Sequence, residues 1–266
     1  MVERNELLRF AGGNGQQLSA RLDRPTNAPR AYALFAHCFT CSKDSLAATH
    51  ISRSLAALGI AVLRFDFTGL GGSTGDFADT NFSSNVADLL TAADFLREHY
   101  AAPEILIGHS LGGAAVLAAA ARVPEAVAVA TIGAPFQPDY IRGLLAPATA
   151  EIEARGEAEV LLDGRKYRIR QQLLHDLESY DTREAISNLG KALLVFHSPL
   201  DTTVNIDNAT QIFLAAKHPK SFVSLDNADH LLTRKSDSAY VASVVAAWAG
   251  RYLDRAQPPA TATSRT

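Results

Sequence analysis

Cysteine, methionine and tryptophan are all scarce in this chain: two, one and one among 266 residues. The cysteines, Cys38 and Cys41, form a single C-x-x-C, which is too little for a disulfide framework and lacks the second pair of a structural zinc site. This usage agrees with a reducing compartment. An excess of charge is also missing: 25 Lys and Arg stand against 28 Asp and Glu, a net of -3, with no long basic block. The electrostatic footprint of a nucleic-acid or anionic-membrane binder is therefore absent. No apolar run approaches the length that spans a bilayer, and Met1-Val2-Glu3-Arg4-Asn5-Glu6 lacks the charged-then-apolar pattern of a secretory signal. The expectation is a cytoplasmic protein without nucleic-acid or membrane partners.

With 47% hydrophobic and 20% charged residues, the chain can bury one substantial core, and one domain over residues 1–255 is expected. Short alternating runs at 6–10 and 17–22, joined by a glycine-rich turn, read as two edge strands. Continuous apolar runs at 31–36, 60–67, 105–107, 126–132 and 192–196 read as buried strands, and residues 221–225 as a further strand. Helical spacing fits residues 45–58, 81–100, 114–122, 207–216 and 240–253 between them. Such alternation predicts an α/β fold, with a mostly parallel sheet covered by helices on both faces and ligands at the carboxyl ends of the strands.

Two segments stand apart from that alternation. Residues 68–75, Thr-Gly-Leu-Gly-Gly-Ser-Thr-Gly, lack the lysine-serine ending of a P-loop and the spacing of a dinucleotide fingerprint, so they read as a structural or pocket-shaping loop. From about 136 to 189, after the sixth strand, charge density rises. Gly164 sits in a predicted hairpin between 159–162 and 166–169, and 171–177 looks helical. This segment is expected to be a lid insertion, with the basic run Arg165 to Arg170 as a solvated hairpin face. The tail 256–266, rich in Pro, Ala, Thr and Ser, is expected to be disordered.

The chemistry centres on Gly108-His109-Ser110-Leu111-Gly112. An apolar strand ends here and an alanine-rich helix begins, so a sharp turn falls on Ser110, with glycines two residues to either side where side chains would crowd. Ser110 is the candidate nucleophile. A hydroxyl near neutral pH needs a base, and the base needs an acid to fix its tautomer. His230 follows the last strand and Asp201 the one before it, giving the order Ser, Asp, His. Among the other histidines, His109 is fixed inside the turn, His50, His99, His175 and His218 read as surface or lid residues, and His197 as a core neighbour. Asp226 and Asp229 lie too near His230 in sequence to come from another strand end, though Asp229 can orient its loop. An oxyanion needs two backbone donors, for which the N–H groups of Leu111 and Phe39 are the candidates.

The Ser110 turn, the loop after His37, Asp66-Phe67-Thr68-Gly69-Leu70-Gly71, Asp201 and His230 together resemble the α/β-hydrolase superfamily over nearly the whole chain. The stretches 37–44, 131–135 and 216–225 are similar to the hydrolase half of bacterial proteins in which an α/β hydrolase is fused to an OsmC-like peroxide-detoxifying domain. The chain ends where that second domain would begin. A looser resemblance, through His-x-Phe-Thr and the lid, is to cinnamoyl and feruloyl esterases. The resemblance implies a cofactor-free, metal-free serine hydrolase acting through an acyl-enzyme on small to medium acyl or aromatic esters, with a thioesterase or a perhydrolase as alternatives. Cys38 departs from the His-Gly usual in such loops and brings a thiol near the pocket. A Cys38/Cys41 redox pair is the alternative reading, against which stands the lack of a thioredoxin-type helix start.

Overall fold

The computed structural model describes residues 4–13, 15–162 and 164–256. The predicted tail after residue 256 lies outside them, as do Asn14 and Asp163. Among the described residues, ten strands and eight α-helices follow one another as β1 (Arg4–Ala11), β2 (Gln17–Arg24), β3 (Ala31–Ala36), α1 (Leu46–Ala57), β4 (Ile60–Phe65), α2 (Phe82–His99), β5 (Ile105–His109), α3 (Leu111–Ala119), β6 (Ala128–Ile132), α4 (Tyr140–Arg155), β7 (Glu157–Leu162), β8 (Arg165–Arg170), α5 (Gln171–Ser179), α6 (Thr182–Ser187), β9 (Ala192–His197), α7 (Asp207–Ala215), β10 (Lys220–Ser224) and α8 (Lys235–Ala256). Eight strands form one sheet in the order β1-β2-β4-β3-β5-β6-β9-β10, while β7 and β8 pair separately. Pairing is antiparallel from β1 through β2 to β4 and parallel from β4 to β10.

Strands β4, β5, β6 and β9 are buried at every position, as apolar runs in a doubly covered parallel sheet must be. One face is covered by α1 and α8 through Ile51, Leu55, Val241 and Val245. The other is covered by α2 and α3 through Phe82, Leu89, Leu96 and Val116. Helix α3 is apolar on all sides because it lies within the core. Helix α1 starts where the Ser45 side chain accepts the Ala48 N–H, and α2 where Asn81 and Ser84 exchange hydrogen bonds in a capping box.

The structure corrects the placement of β2. Its alternation predicts an edge strand, yet it lies between β1 and β4. Asp23 is buried there because Arg64 Nε of β4 donates to it at 2.7 Å, with both side chains 1% exposed. A buried ion pair of this kind is tolerated when further hydrogen bonds satisfy it, and Arg64 also donates to the Lys43 carbonyl and to Asp44. The same layer includes Asp66, which accepts the N–H groups of Lys43 and Gly72 and the Lys43 ammonium at 2.8 Å. A Cβ on Gly71 would fall 2.3 Å from the Asp66 carboxylate. The glycine-rich loop is thus wrapped around a buried carboxylate that also holds the loop after β3.

Between β6 and β9 the chain departs from the strand-helix alternation. The β7-β8 hairpin is fastened to the body at three places: Tyr167 Oη donates to the Thr40 carbonyl, and Arg168 and Arg170 pair with Asp76 and Asp79. The basic run is therefore an ion-paired face, more engaged than the solvated face its pattern predicts. Helices α4 and α6 have no counterpart in the sequence reading. Pro147 lies inside α4, and a proline at mid-helix argues against a helix on sequence grounds.

Candidate active site

Ser110 is the residue at which β5 turns into α3, and its backbone has φ 54° and ψ −123°. A side chain rarely occupies this region, and such strain persists only where the surroundings enforce it. They do so here by contact. A Cβ on Gly108 would lie 2.2 Å from the Gly112 carbonyl oxygen, and one on Gly112 would lie 2.3 Å from that of Ala36. The Ser110 N–H donates to the Ile132 carbonyl at 2.8 Å, which ties the turn to β6.

His230 and Asp201 converge on the hydroxyl from the loops after β10 and β9. His230 Nδ1 lies 2.7 Å from Asp201 Oδ2, and Nε2 lies 3.0 Å from Ser110 Oγ. Since a carboxylate only accepts, Nδ1 carries the proton, and Nε2 accepts from the serine hydroxyl. Asp201 Oδ1 accepts the N–H groups of Thr203 and Val204 at 2.9 and 2.8 Å. Burial pushes the Asp201 carboxyl up, but His230 and these two N–H groups outweigh it and hold the pKa below the usual carboxylate range. The arrangement can withdraw a proton from Ser110 and stabilise the imidazolium that results.

Two further histidines set the positions of this pair. His109 Nε2 donates to the His230 carbonyl at 2.7 Å. Burial, assisted by the neighbouring His230, lowers its pKa to about 4, so the ring is neutral. His197 Nε2 donates to the Val204 carbonyl at 2.8 Å and stands 3.6 Å from Asp201, and burial lowers its pKa as well. Asp229 accepts the N–H and hydroxyl of Thr233 within the His230 loop. His99, His175 and His218 are exposed and His50 is half-buried, away from the cluster.

On the other side of Ser110 lies the loop after β3. Leu111, the first residue of α3, has an N–H with no intrahelical acceptor. Among the described residues neither it nor the Phe39 N–H makes a hydrogen bond within the protein. Phe39 is held between Cys38 and Cys41, which are joined in a disulfide with Cα atoms 5.2 Å apart. This corrects the expectation of a thiol near the pocket: the sulfurs are bonded to each other and Thr40, in the bridged turn, has φ 60°. His37 Nδ1 donates to the Cys38 carbonyl at 2.8 Å.

A cavity of about 220 Å³ opens above Ser110, walled by Phe39, Tyr140, Leu144, Leu162 and His230. Tyr140, the first residue of α4, places its hydroxyl 3.1 Å from Ser110 Oγ. Burial pushes its pKa up to about 12, so the phenol keeps its proton. Sequence reasoning missed Tyr140 because its helix was hidden by Pro147 and no motif surrounds it. Among the described residues no group of three or more His, Cys, Asp and Glu side chains could hold a metal ion, and no helix is long and apolar enough to cross a membrane.

Residues 33–244 match the model of the alpha/beta hydrolase family. The chain belongs to this family and is a hydrolase by fold. Over 94% of its length it is 51% identical to the esterase domain of a Rhodothermus marinus protein, with 99% of that chain covered and a TM-score of 0.78. Est1E from Butyrivibrio proteoclasticus, solved with ferulic acid, shares the fold at 20% identity and a TM-score of 0.76, covering 93% of this chain and 99% of that one. Among curated proteins, the mitochondrial palmitoyl-protein thioesterase ABHD10 of Mus musculus is 32% identical over 128 residues, 47% of this chain and 42% of that protein. Human monoglyceride lipase is 31% identical over 121 residues, 45% of this chain and 39% of that protein. The chain thus spans less than half the length of these curated relatives.

Proposed function

We propose that this chain is a serine carboxylesterase in which Ser110, His230 and Asp201 form the catalytic triad, and the N–H groups of Phe39 and Leu111 form the oxyanion hole. The observation that carries the reading is the unbroken hydrogen-bond chain Asp201, His230, Ser110, with spacings of 2.7 and 3.0 Å. His230 takes the Ser110 proton as Oγ attacks the ester carbonyl, and returns it to the departing alcohol. It then activates water to release the acid from the acyl-enzyme. The unpaired N–H groups stabilise the negative oxygen of each tetrahedral intermediate.

The substrates are small to medium acyl or aromatic esters. A cavity of about 220 Å³ is below the range of roughly 300 to 1,000 Å³ usual for drug-sized ligands, which favours short acyl chains over long lipid tails. The segment between β6 and β9 acts as the lid, since it supplies Tyr140, Leu144 and Leu162 to the cavity wall. A thioester reading is favoured by the mouse thioesterase match and uses the same acyl-enzyme. The test is hydrolysis of p-nitrophenyl esters of increasing chain length, methyl ferulate and a short acyl thioester by wild type and Ser110→Ala. Loss of at least about a thousandfold in kcat is expected for Ser110→Ala; undiminished hydrolysis would falsify the assignment.

A further inference from the structure

The proton inventory around Ser110 leaves one group without a role in the scheme above. Ser110 has a single hydroxyl proton, and His230 Nε2 can only accept it, because Nδ1–H is directed at Asp201. The contact of 3.1 Å between Tyr140 Oη and Ser110 Oγ must therefore be a hydrogen bond donated by the tyrosine. Among the described residues Oγ is the only hydrogen-bond partner of this phenol. When Oγ becomes an ester oxygen its power as an acceptor falls, and the phenol O–H needs a new acceptor at the same place.

Two substrate oxygens flank Oγ on the tetrahedral carbon. The carbonyl oxygen is provided for by Phe39 and Leu111. Topology puts Tyr140 nearer the other. Strands β3 and β6 flank β5 on opposite sides, so the Phe39 loop approaches Ser110 from one side and the segment leading from β6 to Tyr140 from the other. That segment begins at Gly133, where a Cβ would lie 3.3 Å from both His230 Nδ1 and Asp201 Oδ2. Tyr140 thus arrives on the side of the imidazole that protonates the departing alcohol. One turn further along α4, Leu144 walls the same cavity, so this face of the helix is turned toward bound substrate.

We propose that Tyr140 is a catalytic residue supplied by the lid, whose O–H shifts from Ser110 Oγ to the alkoxy oxygen of the ester as the tetrahedral intermediate collapses. In that step the bond between the carbonyl carbon and the alkoxy oxygen breaks and its electron pair stays on the oxygen. The proton from His230 Nε2 is transferred to that oxygen, while Tyr140 donates a hydrogen bond and keeps its own proton. The proposal rests on the triad reading and deepens it: assistance matters most for alkyl esters, whose alcohols are poor leaving groups.

The test compares ethyl acetate with p-nitrophenyl acetate. Both give the same acetyl-enzyme, so differences in kcat/KM report events up to alcohol release. Tyr140→Phe is expected to lower kcat/KM for ethyl acetate by about ten- to a hundredfold, the effect of a hydrogen bond to a developing negative charge. The loss for ethyl acetate should exceed that for p-nitrophenyl acetate about tenfold. Equal losses on both esters, or no loss on either, overturn the proposal. Should Tyr140→Phe melt earlier or lose its circular dichroism spectrum, a fluorotyrosine at position 140 replaces it. Its stronger donor must then raise the ethyl acetate rate relative to the p-nitrophenyl acetate rate, and an unchanged ratio overturns the proposal. Ser110→Ala assayed alongside separates the two failures: if it stays active the triad reading falls, and if it is inactive only the role of Tyr140 is in question.

Discussion

His109 makes the stability of the fold sensitive to acid in a way that one substitution can isolate. Its ring is buried, Nε2 donates to the His230 carbonyl, and Nδ1 has no hydrogen-bond partner among the described residues. The titratable groups that bear on it are His230, Asp201 and His37. Burial lowers its pKa from the ordinary 6.5 to about 4. Between those values the unfolded chain binds a proton that the folded chain refuses. The stabilisation is therefore fully present above pH 6.5 and is lost as pH falls toward 4. From pH 7 to pH 5 the loss from this group comes to about 2 kcal/mol. His37 and His197, also lowered by burial, add losses of the same sign. Urea melts at pH 7 and pH 5 measure the total. His109→Gln, neutral throughout, should shrink the difference between the two pH values by about 2 kcal/mol. An equal difference in wild type and variant would refute the reasoning.

Two other perturbations address the geometry. Gly112→Ala places a methyl group 2.3 Å from the Ala36 carbonyl oxygen and 2.5 Å from that of His37. It should cost about 3 kcal/mol or more, read as a lowered melting temperature, and a variant melting with wild type would contradict the packing described. Reducing the Cys38–Cys41 disulfide, or replacing both cysteines with serine, frees the turn that carries Phe39. A closed loop this short is worth about 2 kcal/mol on a chain-entropy argument, and denaturant melts with and without reductant should register it. Esterase kcat is expected to fall in parallel. Unchanged kcat would mean that Asp66 and Lys43 alone hold the loop.

The parallel half of the sheet was legible because burial on both faces demands uninterrupted apolar sequence, as in Ala192–His197. The turn at Ser110 was legible for a related reason, since close backbone approach at Gly108 and Gly112 admits only glycine. What escaped the sequence depends on partners distant along the chain. The burial of Asp23 depends on Arg64 lying opposite it on the neighbouring strand. Tyr140 carries no local signal, and its place beside Ser110 comes from a fold that returns α4 over that residue. The disulfide likewise depends on a turn that brings Cys38 and Cys41 within bonding range, which the C-x-x-C spacing permits without requiring.

The backbone at Ser110, with φ 54°, gives position 110 a preference of its own. Glycine would relax there, since the lack of a Cβ removes the cost of this conformation. The fold and the chemistry therefore favour different residues at one site. In a lineage released from any need for a nucleophile, drift toward glycine would meet no resistance from folding and would even be encouraged by it. Under the proposed function, the serine is therefore held against the preference of the backbone that presents it.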